Sequence, residues 1–210
     1  MLRILITDDH AIIRKGLEQI IREAYPSAAI RQACNAESAM KEMLKSEFNI
    51  VICDLSMPGG RSGLDVLQYV KQNYPKTPVL ILSIHPEEQY AIRTLKAGAA
   101  GYLSKDTATE ELVNAMQRIL QGRKYISPSI AEKMVTNLDN DTGKAPHELL
   151  SDREFDVFKL LAGGKGVSEI AEELSLSLTT VSTYRSRILL KMSMKNNAEL
   201  TRYALENKLI

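Results

Sequence analysis

The sequence predicts two domains of different class. The first is an α/β domain with a five-stranded parallel sheet, flavodoxin-like and doubly wound, and the second is an all-α helix-turn-helix domain. Residues 1–125 alternate short apolar runs with helix-length segments five times, which is typical of a parallel sheet covered on both faces. A polar segment rich in turn-forming residues follows at 137–146, and from Leu150 onward the pattern is helical throughout.

The predicted strands of the first domain are its five apolar runs. Three of the runs are nearly continuous in Ile, Leu and Val, as expected for parallel strands that are buried on both faces. The strands are predicted at 2–7, 29–34, 50–54, 79–83 and 101–104. Helices are predicted between them, near 11–25, 36–46, 64–74, 87–97 and 108–121.

Helix-start signals define the rest of the chain. Ser127-Pro128 predicts an N-cap followed by Pro at the first helical position, and hence a short helix to about Asn137. Ser151 and Glu154 have the spacing of a capping box, which predicts a helix to about Ala162. Further helices are predicted at 167–174, 178–193 and 196–207. The domain boundaries that follow are 1–125, a linker with a short helix at 126–148, and 149–210.

Composition excludes several classes of protein. Lys and Arg together number 27 among 210 residues, against 26 for Asp and Glu, and no apolar run approaches the ~18–20 residues that span a bilayer. The two cysteines, Cys34 and Cys53, are too few for a metal cage or a disulfide framework, and both fall in runs predicted as buried strands. We therefore expect a reduced, cytoplasmic protein with no membrane partner.

Acidic residues follow two of the predicted strands. Asp8 and Asp9 follow the first strand, and Asp54 ends the third. Neighbouring parallel strands would bring these positions together, and three close carboxylates repel one another unless a cation intervenes. Carboxylate oxygens favour a hard divalent ion such as Mg²⁺. A single Asp in this position more commonly caps the next helix, so the prediction depends on the joint pattern.

Two further strands end in groups that can bind phosphate. Ser83 supplies a hydroxyl and Lys105 an ammonium. Together with the acidic cluster they suit phosphoryl transfer, in which positioning and charge neutralisation dominate. Asp54 is the natural nucleophile, because a carboxylate can attack phosphorus and form an acyl phosphate.

These residues give the first domain a resemblance to the receiver domain of two-component response regulators. The resemblance is carried by Asp8-Asp9, Asp54, Met57-Pro58, Ser83 and Lys105, and the segment 98–106 resembles the NarL/FixJ family in particular. It implies that Asp54 accepts phosphate from a sensor histidine kinase or a phosphotransfer protein. It also implies that Mg²⁺ is held by Asp8, Asp9, Asp54 and the backbone carbonyl of Ser56.

The same resemblance assigns roles at the last two strands. Ser83 and Lys105 would contact the phosphoryl oxygens. Tyr102 matches the aromatic residue that changes rotamer together with Ser83 when phosphate is bound. Taken alone, Tyr102 is compatible with ordinary packing in a half-buried strand.

Charge is unevenly distributed in the second domain. Residues 151–176 carry three basic and six acidic side chains, whereas residues 177–210 carry six basic and two acidic ones. A local basic excess can attract a polyanion even in a chain that is neutral overall. The polar face of the helix predicted at 178–193 is therefore a candidate DNA-binding surface, with an ordinary solvated face as the alternative. The candidate contacts are Thr179, Thr180, Ser182, Thr183, Arg185, Ser186, Arg187 and Lys191.

Residues 150–199 are similar to the LuxR-type helix-turn-helix. The matching motifs are Leu-Ser-x-Arg-Glu154, Leu160-Leu-Ala-x-Gly164, Glu169-Ile-Ala171, Thr180-Val181 and Lys191-Met192. The resemblance implies a homodimeric regulator of transcription that binds double-stranded DNA and is controlled by phosphorylation of Asp54 through dimerisation or interdomain contacts. Ser182 and the Ser-Met-Pro-Gly loop at 56–59 also resemble the RcsB branch of the family.

Two alternatives remain open at this point. The first domain could serve only as a dimerisation module of a regulator that does not depend on phosphorylation. The chain could instead be an enzyme with an aspartyl-phosphate intermediate, although the Asp-x-Asp pattern of such phosphatases is missing after the first strand. We expect no metabolic enzyme activity, apart from slow dephosphorylation of its own Asp54.

Overall fold

A computed structural model describes residues 1–57, 61–84, 87–128, 130–132 and 145–210. Contacts within the chain divide it into two units, Met1–Asp139 and Asn140–Ile210. Within the described ranges, no helix has the length and apolar character needed to cross a membrane.

The first unit is built around a five-stranded parallel sheet. Its strands are β1 (Arg3–Thr7), β2 (Ala29–Ala33), β3 (Ile50–Asp54), β4 (Val79–Ser83) and β5 (Gly101–Ser104). They lie in the order β2-β1-β3-β4-β5, and every neighbouring pair is parallel. The chain passes from β1 to β2 on one side and returns to β3 on the other, so the strand order switches between β1 and β3. In open α/β sheets, ligands bind beyond the carboxyl ends of the strands at such a switch point.

Five helices connect and cover the strands. They are α1 (Ala11–Ala24), α2 (Ala36–Lys45), α3 (Gly63–Asn73), α4 (Glu87–Lys96) and α5 (Ala108–Leu120). Every residue of β3 and β4 is buried, because helices pack on both faces of these central strands. The predicted α/β class is confirmed, and the predicted bounds differ from the observed ones by at most one residue at either end.

The prediction of a buried Cys34 is wrong. β2 is one of the two edge strands of the sheet, and its residues Arg31 and Gln32 are exposed. The strand ends at Ala33, which leaves Cys34 in the following turn and exposed to solvent. Cys53 in the central strand β3 is fully buried, as predicted. The predicted run continues through Cys34, and it does not show that the pairing of β2 with β1 ends at Ala33.

The second unit is helical throughout its described residues. After a 3-10 turn at Pro146–Leu149 come α6 (Asp152–Ala162), α7 (Val167–Glu173), α8 (Leu178–Lys191) and α9 (Asn197–Glu206). The predicted capping box is present, with the Glu154 N–H donating to Ser151 Oγ and the Ser151 N–H donating to Glu154 Oε2. α7 and α8 are joined by residues 174–177, in which Ser175 has a left-handed backbone with φ of 53°. These two helices form the predicted helix-turn-helix.

The predicted linker is described only at its two ends. Residues 128 and 130–132 are helical, whereas the rest of the helix predicted to about Asn137 lies outside the described residues. At the other end, His147 Nδ1 lies 2.7 Å from the hydroxyl of Tyr203 in α9, and its ring contacts Phe155 in α6. The last residues of the predicted linker therefore pack on the helical unit, which their polar sequence did not indicate.

Candidate functional site

The carboxyl ends of β1 and β3 bring Asp8, Asp9 and Asp54 into one cleft. Thr7 in β1 lies opposite Cys53 in β3, so the residues that follow them emerge at the same edge of the sheet. One ligand atom from each of the three carboxylates and one from His10 all lie within 4.8 Å of one another. Asp8 is fully buried and Asp54 is 3% exposed. Two buried carboxylates this close together are stable only with a cationic partner.

Lys105 supplies a cation between the two buried carboxylates. Its Nζ lies 2.7 Å from Asp54 Oδ2, to which it donates a hydrogen bond, and 2.7 Å from Asp8 Oδ2. The Lys105 N–H also donates to the carbonyl of Ser83, which fixes the end of β5 beside the end of β4. Burial alone would lower the pKa of Lys105, but its contacts with Asp54 and Asp8 outweigh burial and raise that pKa above its ordinary value.

Asp54 is hard to ionise in the absence of a further cation. Burial raises the pKa of Asp54 from its ordinary value of 3.8 to about 6, although Lys105 and the N–H of Ser56 stabilise the carboxylate. The Ser56 N–H lies 3.2 Å from Asp54 Oδ1. The nearby charge of Asp8 adds to the increase in the Asp54 pKa. A divalent cation bound here would favour the ionised, nucleophilic form of Asp54.

The donor set of the cleft fits Mg²⁺. Asp8 Oδ2 and Asp9 Oδ1 are buried, with Lys105 Nζ 2.7 Å from the first and His10 Nδ1 3.0 Å from the second. A carboxylate oxygen has two lone pairs, so each of these oxygens can still take a further ligand. Buried carboxylate oxygens with unused lone pairs are the ligands that a hard divalent ion prefers. The alternative that Asp9 caps the following helix is wrong, because the N-cap of α1 is His10.

Ser83 and Tyr102 are buried residues of β4 and β5. Ser83 is the last residue of β4 and is fully buried. The residue before it, Leu82, lies opposite Asp54 in β3. Tyr102 lies opposite Ile81 in the neighbouring strands and is 1% exposed. Tyr102 is therefore more deeply buried than the half-buried strand position predicted from the sequence, because its ring points into the protein.

Two residues near the carboxylates were missed by the sequence analysis. His10 Nδ1 lies 3.3 Å from Asp8 Oδ1 and 3.0 Å from Asp9 Oδ1. Arg14 Nη1 donates to the backbone carbonyls of Asp8 and Asp9, at 2.7 and 3.2 Å. The adjacency of His10 to the acidic pair was a usable signal. The reach of a guanidinium from one turn into a helix is not visible in the sequence.

The polar face of α8 is solvent-exposed, as a nucleic-acid-binding surface requires. Val181 and Ile188 on the opposite face are fully buried and anchor the helix. Arg187 is exposed and makes no ion pair with any acidic group in the described part of the chain. Thr180 and Arg185 are partly buried, and the other predicted contacts are exposed: Thr179, Ser182, Thr183, Ser186, Arg187 and Lys191.

In five of the predicted DNA contacts, the side chain has a partner within the protein. The hydroxyls of Thr183 and Ser186 donate to the backbone carbonyls of Thr179 and Ser182, four residues earlier in α8. Lys191 Nζ lies 2.6 Å from Oε2 of Glu154, which is 3% exposed. Arg185 Nε donates to Asn197 Oδ1 at 2.8 Å, and the Thr180 hydroxyl lies 2.7 Å from that of Ser177. Burial alone would raise the pKa of Glu154, but its contacts with Lys191 and Ser151 lower that pKa below its ordinary value. The Lys191 pair holds the end of α8 to the start of α6.

Comparisons with known proteins identify both units. Residues 4–117 match the response regulator receiver domain, and residues 148–204 match the bacterial regulatory proteins of the luxR family. The whole chain is 34% identical to the oxygen regulatory protein NreC of Staphylococcus carnosus over 99% of that protein. The chain belongs to the NarL/FixJ family of response regulators. It is 33% identical to NreC of Staphylococcus aureus strain JH9, again along its whole length and 99% of the relative.

Solved structures of response regulators have the same fold. RcsB of Salmonella typhimurium matches with a TM-score of 0.68 at 23% identity, over 96% of each chain. A LuxR-family two-component response regulator from Aurantimonas sp. SI85-9A1 is 32% identical, with a TM-score of 0.59 over 66% of this chain and 98% of that one. The likeness to the RcsB branch is one of fold.

Membership of the NarL/FixJ family decides between classes of function. A chain of this family is a DNA-binding transcription regulator of a two-component system, controlled by phosphorylation, and not a metabolic enzyme. The alternative of a phosphatase with an aspartyl-phosphate intermediate is therefore excluded.

Proposed function

We propose that Asp54 is the phosphoacceptor of this response regulator and that its phosphorylation controls DNA binding through dimerisation or interdomain contacts. The observation that carries the proposal is the position of Asp54 at the switch point of the sheet. There it is almost fully buried, bonded to Lys105 at 2.7 Å, and close to the carboxylate oxygens of Asp8 and Asp9. The donor in this account is a sensor histidine kinase or a phosphotransfer protein.

Asp8, Asp9, Asp54 and the backbone carbonyl of Ser56 are the residues that would hold Mg²⁺. The ion supplies neutralising charge for the phosphoryl oxygens. The Asp54 carboxylate attacks phosphorus, a bond forms between its oxygen and phosphorus, and the bond between phosphorus and the donor breaks. The leaving group keeps the bonding electrons and takes up a proton. Attack by water on the same acyl phosphate regenerates Asp54 and releases phosphate, which is the proposed slow self-dephosphorylation.

Lys105, Ser83 and Tyr102 respond to the new phosphoryl group. The ammonium of Lys105, which contacts both carboxylates in this structure, would bond to a phosphoryl oxygen. The Ser83 hydroxyl would donate to a second oxygen, and Tyr102 would repack in the space beside it. Since phosphorylation adds roughly −1.5 to −2 charges at pH 7, these small movements can shift an equilibrium between two states of the surrounding surface.

The exposed face of α8 is the proposed DNA-binding surface. Short hydroxyl side chains allow close approach to DNA, and Arg187 can reach a phosphate or a base edge. A homodimer would place two such helices in half-sites about one helical turn, ~10 bp, apart. The other members of the proposed set are Thr179, Thr180, Ser182, Thr183, Arg185, Ser186 and Lys191.

The proposed domain division is a receiver at 1–125, a linker at 126–148 and a LuxR-type domain at 149–210. The two family matches, which end at 117 and begin at 148, support this division. A regulator whose partners are chromosomal DNA and a phosphodonor kinase is expected to work in the cytoplasm.

Asp54 should be the residue that is labelled by a small phosphodonor. We expect wild-type protein with acetyl phosphate and Mg²⁺ to incorporate one phosphoryl group, and Asp54→Asn to incorporate none, because the amide is not a nucleophile. Intact-mass spectrometry measures the incorporation. The matched control is Asp106→Asn, an exposed Asp next to Lys105, which should label like wild type. Equal labelling of Asp54→Asn and wild type would place the acceptor elsewhere.

Substitutions of Lys191 and Arg187 should distinguish a residue that stabilises the fold from a residue that binds DNA. Lys191→Met leaves the buried Glu154 without its charged partner, and we expect the free energy of unfolding to fall by about 1.5 kcal/mol. Arg187→Met should leave stability unchanged and weaken DNA binding, with the slope of log affinity against log salt reduced by about 1. Urea denaturation and binding to DNA at several salt concentrations measure the two effects. A stable Lys191→Met variant would mean that the pair with Glu154 contributes nothing to the fold.

A further inference from the structure

The guanidinium of Arg14 binds the backbone of both acidic residues that follow β1. Its Nη1 donates to the carbonyl oxygen of Asp8 at 2.7 Å and to that of Asp9 at 3.2 Å. Its Nε donates to Oε1 of Gln32 in β2 at 3.1 Å. Side chains of an α-helix point back towards its N-terminus, so a residue one turn into α1 reaches the loop between β1 and α1. Arg14 thus connects α1 and β2 to the acidic pair.

Two further hydrogen bonds hold the loop between β1 and α1, and both involve Asp8. The N–H of His10 donates to Asp8 Oδ1 at 2.8 Å, and the N–H of Asp8 donates to the carbonyl of Ala33 at 3.2 Å. The peptide unit between Asp9 and His10 is therefore fixed at its carbonyl by Arg14 and at its N–H by Asp8. The N–H of Asp8 and the carbonyls of Asp8 and Asp9 belong to three successive peptide units, and each unit is held by a hydrogen bond. Because peptide units are planar, this fixes the directions in which the Asp8 and Asp9 side chains leave the backbone.

This arrangement determines which carboxylate oxygens face the cleft. Asp8 Oδ1 accepts the N–H of His10, which leaves Asp8 Oδ2 facing Lys105 Nζ at 2.7 Å. Asp9 Oδ1 is likewise buried, with His10 Nδ1 at 3.0 Å. These are the oxygens that a divalent cation in the cleft would take.

We propose that Arg14 is a positioning residue for the divalent cation of the receiver unit. By holding the carbonyls of Asp8 and Asp9, it keeps their carboxylates in the arrangement that binds Mg²⁺, without itself contacting the ion or the phosphoryl group. This inference rests on the proposed function, in which Asp8, Asp9 and Asp54 hold the ion.

Charge and geometry predict opposite effects for Arg14. A guanidinium close to a cation site repels the ion, so removing only its charge would tighten Mg²⁺ binding. Loss of positioning would weaken Mg²⁺ binding, because partners that orient metal ligands typically contribute 10–100-fold to metal affinity. The sign of the change therefore distinguishes the two explanations.

The test is the dissociation constant of Mg²⁺ measured on the full chain by NMR titration without phosphodonor. We expect Arg14→Gln to bind Mg²⁺ about 10-fold more weakly than wild type, at the lower end of the range for such partners. Arg14→Lys keeps the charge but has a single nitrogen to donate, so its affinity should lie between the two. The amide signals of Asp8, Asp9 and His10 should shift in both variants before Mg²⁺ is added.

Lys15→Gln is the matched control. Lys15 is the next residue of the same helix, is exposed, and makes no ion pair with any acidic group in the described part of the chain, so its loss removes a nearby positive charge without touching the acidic loop. This variant should bind Mg²⁺ like wild type. Gln32→Leu, which removes the acceptor of Arg14 Nε at an exposed position, should weaken binding about 2- to 3-fold, and it carries the test together with Arg14→Lys if Arg14→Gln does not fold.

The outcomes separate this inference from the proposed function. Unchanged or tighter Mg²⁺ binding by Arg14→Gln, with wild type binding normally, overturns the role of Arg14 alone. If wild type itself does not bind Mg²⁺, the proposed metal site is wrong and the role of Arg14 falls with it. Weaker binding by Arg14→Gln with unchanged binding by Lys15→Gln supports both.

Discussion

Gly63→Ala is expected to destabilise the receiver unit by about 3 kcal/mol, at the upper end of the usual cost of overpacking. A Cβ at residue 63 would lie 2.0 Å from the carbonyl oxygen of Asp54 and 2.9 Å from its carbonyl carbon. Both atoms are backbone, so relief requires moving the phosphoacceptor itself. We therefore also expect phosphoryl labelling of Asp54 to fall sharply. Urea denaturation and mass spectrometry measure the two effects.

Gly16→Ala is the matched control for this prediction. Gly16 lies inside α1, and a Cβ there would meet nothing within 4 Å. Because alanine favours the helix, this change should stabilise the protein by about 0.5–1 kcal/mol. If Gly63→Ala were as stable as Gly16→Ala, the close approach of α3 to Asp54 would not be a requirement of the fold.

Asp54→Asn should change how stability depends on pH. The pKa of Asp54 is about 6 in the folded protein against an ordinary 3.8, so the folded state holds this proton more tightly than the unfolded state does. The stabilisation from the proton is present below about pH 4 and is lost as the pH rises through 6. A shift of about two pKa units corresponds to about 3 kcal/mol. Without divalent cations, Asp54→Asn should therefore gain about that much stability relative to wild type between pH 4 and pH 7.5.

Urea denaturation at several pH values in the presence of EDTA tests this prediction. Lys105 keeps its contact with Asp8 in Asp54→Asn, so the variant does not leave the ammonium without an acidic neighbour. Asp106→Asn, at an exposed position, should follow the wild-type curve. If the free energies of unfolding of wild type and Asp54→Asn depended on pH in the same way, burial would not raise the pKa of Asp54.

The central strands and their ends could be predicted from the sequence, because a strand that is buried on both faces requires a continuous run of apolar residues. Asp54 and Lys105 follow from that prediction, since the ends of parallel strands must meet at one edge of the sheet. β2 shows where this reasoning fails. Its predicted run extends through Cys34, yet the strand ends at Ala33 and Cys34 lies exposed in the turn, because the end of a strand depends on where pairing with the neighbouring strand stops.

Contacts made by long side chains could not be predicted. The sequence shows Lys191 only as one of four basic residues between 180 and 195, and it reads equally well as a DNA contact or as a structural residue. Its partner Glu154 is 37 residues away and is brought close by the packing of α6 on α8. Arg185 is likewise bonded to Asn197. The bond to neutral Asn197 orients Arg185 without removing its charge, whereas the pair with Glu154 neutralises Lys191.

The most direct test of the account is DNA binding as a function of phosphorylation at Asp54. Footprinting of genomic DNA with full-length wild type, with and without acetyl phosphate and Mg²⁺, is compared with the same pair of measurements on Asp54→Asn. The account predicts that the phosphodonor changes the sites occupied by wild type and leaves those of Asp54→Asn unchanged. Identical footprints for wild type with and without the phosphodonor would contradict it and would make the receiver a dimerisation module only.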